Sequence, residues 1–342
     1  MIEGSALLFL DGPKNRLEFS LNGVFGKALE KFDGFYGLKA EEMHLISYRL
    51  GTSDTNGEGA FTSLFLRTSS NPRIFIFEWS EAEELYKIKA CEPQTDDFAV
   101  RILQYPGMIS MQRFMNQEAG SEGAWRIFTA GINGEVVERV FKNVCLEYGA
   151  FQITPMTGSH HSLLDTSKLP NNTESFDLEN LNFTIVPTLK DFSRTNPKMA
   201  TECAMDRSPI LNHLLEQVSI ESLLAELKLS FLLLTFAQNF EGFEQWLAIV
   251  ELFCKSFRTA FENVSIYIKF LRILQDHLSL CPDDFFSGLL SENKLFCLLD
   301  ELFRNGPVEF WIFKSFYEEK FGWIFNEAGF EGDEDAPVIV EE

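Results

Sequence analysis

Two pairs of residues in this chain have types and spacing that could hold a metal. His160 and His161 stand side by side in "TGSHHS", and adjacent imidazoles with a distant carboxylate can bind zinc. The Pro-, Ser- and Asn-rich surroundings instead place them on an exposed connection. His277 and Cys281 are four apart and would share a helix face, but Pro282 must end that helix and two ligands leave zinc undercoordinated. Nucleotide chemistry finds no better footing. Gly57-Glu58-Gly59 lacks the third Gly and following helix of a dinucleotide loop, and Gly26-Lys27-Ala28 lacks the Walker spacing and its magnesium-binding hydroxyl. No Gly-x-Ser-x-Gly elbow offers a hydrolase nucleophile. Asp283 and Asp284 fall in the first turn of an expected helix, where the dipole favours acid. The chain is therefore expected to be a binding protein rather than an enzyme, with no cofactor and no metal.

Composition narrows the partner. The chain has 342 residues, 45% hydrophobic and 23% charged, which suits two soluble domains each with its own core. Lys and Arg number 29 against 51 Asp and Glu, a net charge of -22. Phosphate backbones would be repelled, so no direct nucleic-acid contact is expected. The opening "MIEGSALLFLDGPKN" has one short apolar run and no basic region, and Leu223–Ala237 is interrupted by Glu226 and Lys228. Neither a secretory signal nor a membrane span is expected, and the protein reads as cytoplasmic and nuclear. The sequons at Asn171, Asn182 and Asn263 then carry no meaning, and six scattered Cys read as reduced thiols. The 35 Phe residues call for aromatic cores or an aromatic surface covered by a partner. Phe240, Phe243, Trp246, Phe253 and Phe257 recur at helical spacing and are assigned to core.

The elements suggest an α+β chain of two domains. Residues 1–154 read as a β-rich sheet or barrel: "ALLFL", "RLEFSLN", "HLISYRL", "FTSLFLRT" and "RIFIFEW" are short strands between turn residues. In the last, Ile74 and Ile76 face one way and Phe75 and Phe77 the other, so both sheet faces are expected to be buried. Two short helices broken at Tyr105-Pro106-Gly107 are expected to cover the sheet. Residues 155–209 read as a Pro- and Asn-rich linker with one strand-like island, "LNFTIV". Residues 210–330 read as about seven helices in a compact bundle or a short right-handed solenoid. The first long one is capped by Ser219, apolar nearly all round and therefore central. Residues 331–342 form an acidic tail with a strand-forming end.

That end, Ala336, Pro337, Val338, Ile339 and Val340, needs something to pair with. It could return to the chain's own sheet or add a strand to a partner's sheet edge. Ordering five residues costs about 5–10 kcal/mol. Burying three aliphatic side chains returns about 1.5–3 kcal/mol each, and each ladder bond about 1 kcal/mol. The sum lies near zero, so the tail works only as a second contact tethered to a globular one.

Three stretches carry a family resemblance: "AELKLSFLLLTFAQNFEGFEQWLAIVELFCKS", "PDDFFSGLLSEN" and "KFGWIFNEAGFEGDEDAPVIVEE". With weaker echoes such as "FDGFYGLKAEEMHLISY", "FIFEWS", "QYPGMISMQRFM" and "MDRSPILNHLLEQ", they run collinearly along nearly the whole chain. The sequence resembles the Aar-two family of splicing factors. The resemblance implies a β-rich N-terminal domain, a helical VHS-like C-terminal domain, and a non-catalytic role as an assembly chaperone of the U-five snRNP. The implied partner is the large spliceosomal scaffold protein, bound through its RNase H-like and Jab/MPN domains in the snRNP precursor so that a helicase is held off until maturation. The tail is implied to run between those domains as an added strand. A trafficking adaptor binding sorting peptides or ubiquitin is the alternative that VHS-like helices alone would allow. Two departures stand out: Ala40-Glu41-Glu42-Met43 replaces a frequent Pro and Gly before His44, and Ala225 and Lys228 replace a frequent Gly and Gln. Ser219 and Ser222, at the start of the central helix, are also candidates for a phosphorylation switch, because helix N-termini attract anions.

Overall fold

The computed structural model describes residues 4–13, 17–26, 32–50, 61–93, 95, 97–118, 120–144, 149–154, 181–195, 199–282 and 294–325. These form two compact units, one of residues 1–184 and 221–246, the other of residues 185–220 and 247–342.

The first unit contains ten strands: β1 Ser5–Leu10, β2 Leu17–Leu21, β3 Val24–Gly26, β4 Gly34–Leu38, β5 Met43–Leu50, β6 Thr62–Arg67, β7 Arg73–Ser80, β8 Leu85–Pro93, β9 Met108–Ser110 and β10 Ala150–Ile153. They make two five-stranded sheets, ordered β8-β7-β1-β4-β9 and β10-β6-β5-β2-β3. The five expected strands are β1, β2, β5, β6 and β7. Phe9, Phe75 and Phe77 from one sheet meet Phe19, Ile46, Tyr48 and Leu64 from the other in a shared core. Its rings stack closely, Phe9 lying 5.4 Å from Phe77 and 5.5 Å from Phe19, so much of the Phe content serves as core. On the opposite face of the first sheet, Ile74 and Ile76 pack with Ile102 of α1 Phe98–Leu103. Both faces of "RIFIFEW" are covered, as its alternation requires.

The expected second short helix is α2 Met111–Met115, separated from α1 by β9. The outer face of the second sheet, with Leu45, Phe65, Phe151 and Ile153, is covered by α3 Ser121–Thr129, α4 Gly134–Val140 and α8 Ile220–Ala237. Twelve of the eighteen residues of α8 are buried, which makes it the central helix that its all-round apolarity demands. Before His44 the turn places Glu41 at φ 58 and is closed by the Thr68 hydroxyl, which donates to the Glu42 carbonyl at 2.9 Å. His44 is fully buried, between Asn22 and the Lys39 carbonyl, and burial pushes its pKa down to about 4.

The second unit is helical: α5 Leu189–Thr195, α6 Ala200–Met205, α7 Ser208–Leu215, the end of α9 Phe240–Cys254, α10 Phe257–Glu262, α11 Val264–Leu280, α12 Lys294–Asn305 and α13 Lys314–Phe321, with a 3-10 helix Val308–Phe313 after Pro307. Its core stacks Phe253 on Phe270 at 4.6 Å and Tyr267 on Phe310 at 5.8 Å. α11 stops before Cys281-Pro282, as the proline dictates. Residues 155–180, with His160 and His161, and residues 283–293, with Asp283, Asp284 and one expected helix, lie outside the described residues.

One element corrects the sequence reading. "LNFTIV" is not a strand: residues 181–188 have no regular secondary structure. The backbone donors of Leu181, Asn182 and Thr184 are taken by side chains and a helix end instead of a neighbouring strand.

Candidate functional site

Residues 181–184 lie across α4, α8 and the start of α9, bonded to them through the N–H groups of Leu181, Asn182 and Thr184 and the carbonyls of Asn182 and Thr184. The Leu181 N–H donates to Glu241 Oε2 at 3.3 Å, the Asn182 N–H to the Val140 carbonyl at 2.7 Å, and the Thr184 N–H to Glu226 Oε1 at 2.8 Å. Arg139 and Gln245 donate to the carbonyls of Asn182 and Thr184. The segment thereby caps the end of α4, and strand pairing would compete with bonds already made.

Glu226 is the centre of this clamp. It is fully buried within α8, where an unpaired carboxylate would be prohibitively costly. Oε1 accepts from the Thr184 N–H and from Gln245 Nε2 at 2.7 Å, and Oε2 from the Thr184 hydroxyl at 2.8 Å and from Arg139. All of its acceptor capacity is used. Glu241 differs: it meets the Leu181 N–H, but burial, with Glu244 nearby, pushes its pKa up to about 7. One signal for the clamp was available in the sequence, because a carboxylate inside a helix that is apolar all round demands a buried partner. Which partner it finds depends on α4 and residues 181–184, far away along the chain.

Lys228, one of the two departures noted above, has a structural role. Its ammonium donates to the carbonyls of Ala130 at 2.8 Å and Ile127 at 3.3 Å, so it caps α3 at the end where the helix dipole favours a cation. Ala225 is buried in the same helix.

The serine candidates fall at the start of α8: Ser219 directly precedes it and Ser222 lies in its first turn, half-buried, and each has a partner in the chain. Ser222 is one turn ahead of Glu226. The tail candidates Ala336, Pro337, Val338, Ile339 and Val340 lie outside the described residues. The point from which the tail departs is described. Phe325 is buried, 5.0 Å from the Phe303 ring and 5.3 Å from that of Phe296. His277 and Cys281 share a helix end, where the Cys281 thiol donates to the His277 carbonyl at 3.5 Å. Among the described residues no group of three or more His, Cys, Asp and Glu could hold a metal ion, and no helix is long and apolar enough to cross a membrane.

A cleft of about 600 Å³ in the first unit is lined by Tyr36, Lys39, Met111, Gln112, Met115 and Glu122 among others. Lys39 and Glu122 are bonded to each other, so its two charged side chains are matched.

Residues 183–326 match the AAR2 C-terminal repeat region. The Protein AAR2 homolog of Homo sapiens is 25% identical over 174 residues, covering 47% of this chain and 44% of that one. The homolog of Caenorhabditis elegans is 32% identical over 117 residues, covering 31% and 33%. Over this part of its length the chain is similar to the AAR2 family. These alignments span less than half of each relative, and the matched AAR2 region includes Thr184, Glu226, Glu241 and Gln245 of the clamp, together with Phe325 at the root of the tail.

Proposed function

We propose that this chain is a non-catalytic pre-mRNA splicing factor that chaperones assembly of the U-five snRNP. In this reading it works in the cytoplasm and nucleus, needs no cofactor, and binds the RNase H-like and Jab/MPN domains of the large scaffold protein until the helicase is admitted. The match of residues 183–326 to the AAR2 region carries the proposal. The order of parts supports it: a two-sheet unit rich in aromatic core, then helices that we take as VHS-like, then an acidic tail. We place the domain limits at 1–154 and 210–330, with 155–209 as linker and 331–342 as tail.

Ala336–Val340 supply the added strand. They are too few to bind alone, so their contribution rests on tethering to a globular contact. Phe325 fixes the root of that tether in the aromatic cluster of the second unit. Ser219 and Ser222 would act as a release switch, because a phosphate on the first turn of α8 brings nearly two negative charges within a turn of the Glu226 clamp. A Ser219→Glu, Ser222→Glu double variant should bind the scaffold fragments more weakly, and unchanged affinity would remove the switch.

The test of the main reading is binding of purified scaffold fragments to the full chain and to a chain ending at Gly332. Weakening on truncation is expected. Equal binding by both forms would return the strand to the chain's own fold, and binding by neither would end the assembly-factor reading.

A further inference from the structure

We propose that Arg207, Lys255 and Lys294, gathered on Glu251 in the second unit, form a binding site for a phosphate monoester. Glu251 lies in the last turn of α9 and meets all three cations. Its Oε1 is 2.9 Å from Arg207 and 3.2 Å from Lys255, and its Oε2 is 3.4 Å from Lys294. Burial pushes the Glu251 pKa up, but the three cations together outweigh it and hold the carboxyl below its ordinary range, so it is ionised at neutral pH. Three positive charges on one negative charge leave two in excess, in a chain whose net charge is -22.

Neighbouring acids do not cancel that excess. Glu202 and Asp206 are taken by Arg258, at 2.8 and 3.6 Å, and Asp206 also accepts from the N–H groups of Ser208 and Arg258. Glu301 contributes to the field at Cys254 without bonding any of the three cations, so it weakens the site only from a distance.

The cations are in place before any ligand arrives. Arg207 directly precedes α7, and its N–H donates to the Lys255 carbonyl at 2.8 Å. The Thr259 N–H donates to the Ser208 hydroxyl at 2.9 Å, a second tie between the same two stretches. The side chains of Arg207 and Glu251 are 22% and 20% exposed and those of Lys255 and Lys294 31% and 36%, so the cluster is braced by the fold yet open to solvent. Such preorganisation lowers the cost of binding. An ammonium has three N–H donors and a guanidinium five, and among the described residues these side chains bond Glu251 alone, which leaves donors for a ligand. Lys294 also opens α12, whose N-terminal dipole adds positive potential.

The excess selects the ligand. A carboxylate or a phosphodiester would neutralise one of the two charges. A phosphate monoester carries nearly two at neutral pH, with three acceptor oxygens to set against three cations. The acidity of the whole chain repels anions at long range, so binding is modest and reserved for a ligand that makes these short contacts. A phosphorylated residue of a protein and a free phosphate share this chemistry. The site does not depend on the proposed function.

The test is titration of the full chain, at fixed ionic strength, with inorganic phosphate and separately with a short peptide bearing one phosphoserine, read by NMR shifts of amide and Arg Nε–H groups. Shifts at Arg207, Lys255 and Lys294 that saturate below about 20 mM are expected, with affinity about tenfold or more lower in a Lys255→Met, Lys294→Met variant. A Lys87→Met, Lys89→Met variant, which removes the same charge from exposed ion pairs on β8, should bind as wild type does. Shifts that stay linear over that range, or equal losses in both double variants, would overturn the site, since either marks general attraction. If the first double variant loses its near-ultraviolet dichroism, Lys294→Met alone replaces it: unchanged affinity there refutes the site and a loss supports it. Two outcomes support the site and name its source, tighter binding of the phosphopeptide pointing to a modified protein and tighter binding of inorganic phosphate to a free one. An unphosphorylated peptide that binds as well as its phosphorylated form would also overturn it.

Discussion

At the level of single residues, the clamp around Glu226 makes a sharp demand. Four donors converge on one carboxylate that has no access to water. Replacing Glu226 with Ala would leave the buried Thr184 N–H without its acceptor and take the charged partner from Arg139, which like Gln245 would keep only its bonds to residues 182–184. Such losses cost about 3–5 kcal/mol for a buried pair, and the lower end applies because Arg139 is partly exposed. Denaturant unfolding should show that loss, whereas Glu226→Gln, which retains acceptor capacity on one atom, should lose less. If Glu226→Ala unfolded at the wild-type midpoint, the clamp would contribute nothing to stability. Glu241 makes the opposite demand. Its folded pKa, about 7, lies above the ordinary value of 4.5, so the folded state holds the proton more tightly. The stability linked to that proton is full below pH 4.5 and is lost as pH rises through 7. Partial exposure reduces the effect to on the order of 1 kcal/mol. Glu241→Gln should therefore raise the unfolding midpoint at about pH 8 and leave it nearly unchanged at about pH 4.5. Equal shifts at both pH values would trace the gain to something other than titration.

Among the elements, strands and helices with one strong periodicity were legible and those built by context were not. β7 announced itself through four alternating aromatics and aliphatics, and α8 through its apolar circumference. β4, "GFYGL", looks like a turn because of its glycines; Gly34 is required there, since a Cβ at its φ of 146 would run into the Leu7 carbonyl. β8 carries lysines at positions 87 and 89 because it is an edge strand with one face in solvent. "LNFTIV" has strand composition but was claimed by Glu226, Glu241 and the end of α4, a choice that only the assembled unit can make. The same dependence on context governs how closely α8 and α9 approach. Gly242 has room for no side chain: a Cβ would lie 2.7 Å from that of Leu233 and 3.0 Å from the Ser230 carbonyl. Gly242→Ala would gain helix propensity, worth up to about 1 kcal/mol, but must separate two packed helices, at about 1–3 kcal/mol. A net fall in stability is expected by thermal or denaturant unfolding. A rise would mean that α9 shifts without cost.

For the molecule as a whole, the sequence disclosed its division into β-rich and helical parts and its acidity, while the grouping of residues 221–246 with the sheets was hidden because a helix carries no mark of what it packs against. The charge bears most directly on association. With 51 acidic against 29 basic residues, a partner face rich in Lys and Arg would be drawn in over distances set by the Debye length, about 10 Å at 0.1 M salt. Steering of this kind accelerates encounter and leaves dissociation, set by buried contacts, almost unaltered. Stopped-flow or surface measurements of the full chain with the scaffold fragments should accordingly show association slowing by about tenfold or more between roughly 50 and 500 mM salt, with a nearly constant dissociation rate. Dissociation carrying the salt dependence instead would place the charges inside the interface as desolvated pairs. Association indifferent to salt would mean that the acidic surface serves solubility alone, and the partner face would then have to be sought among neutral residues.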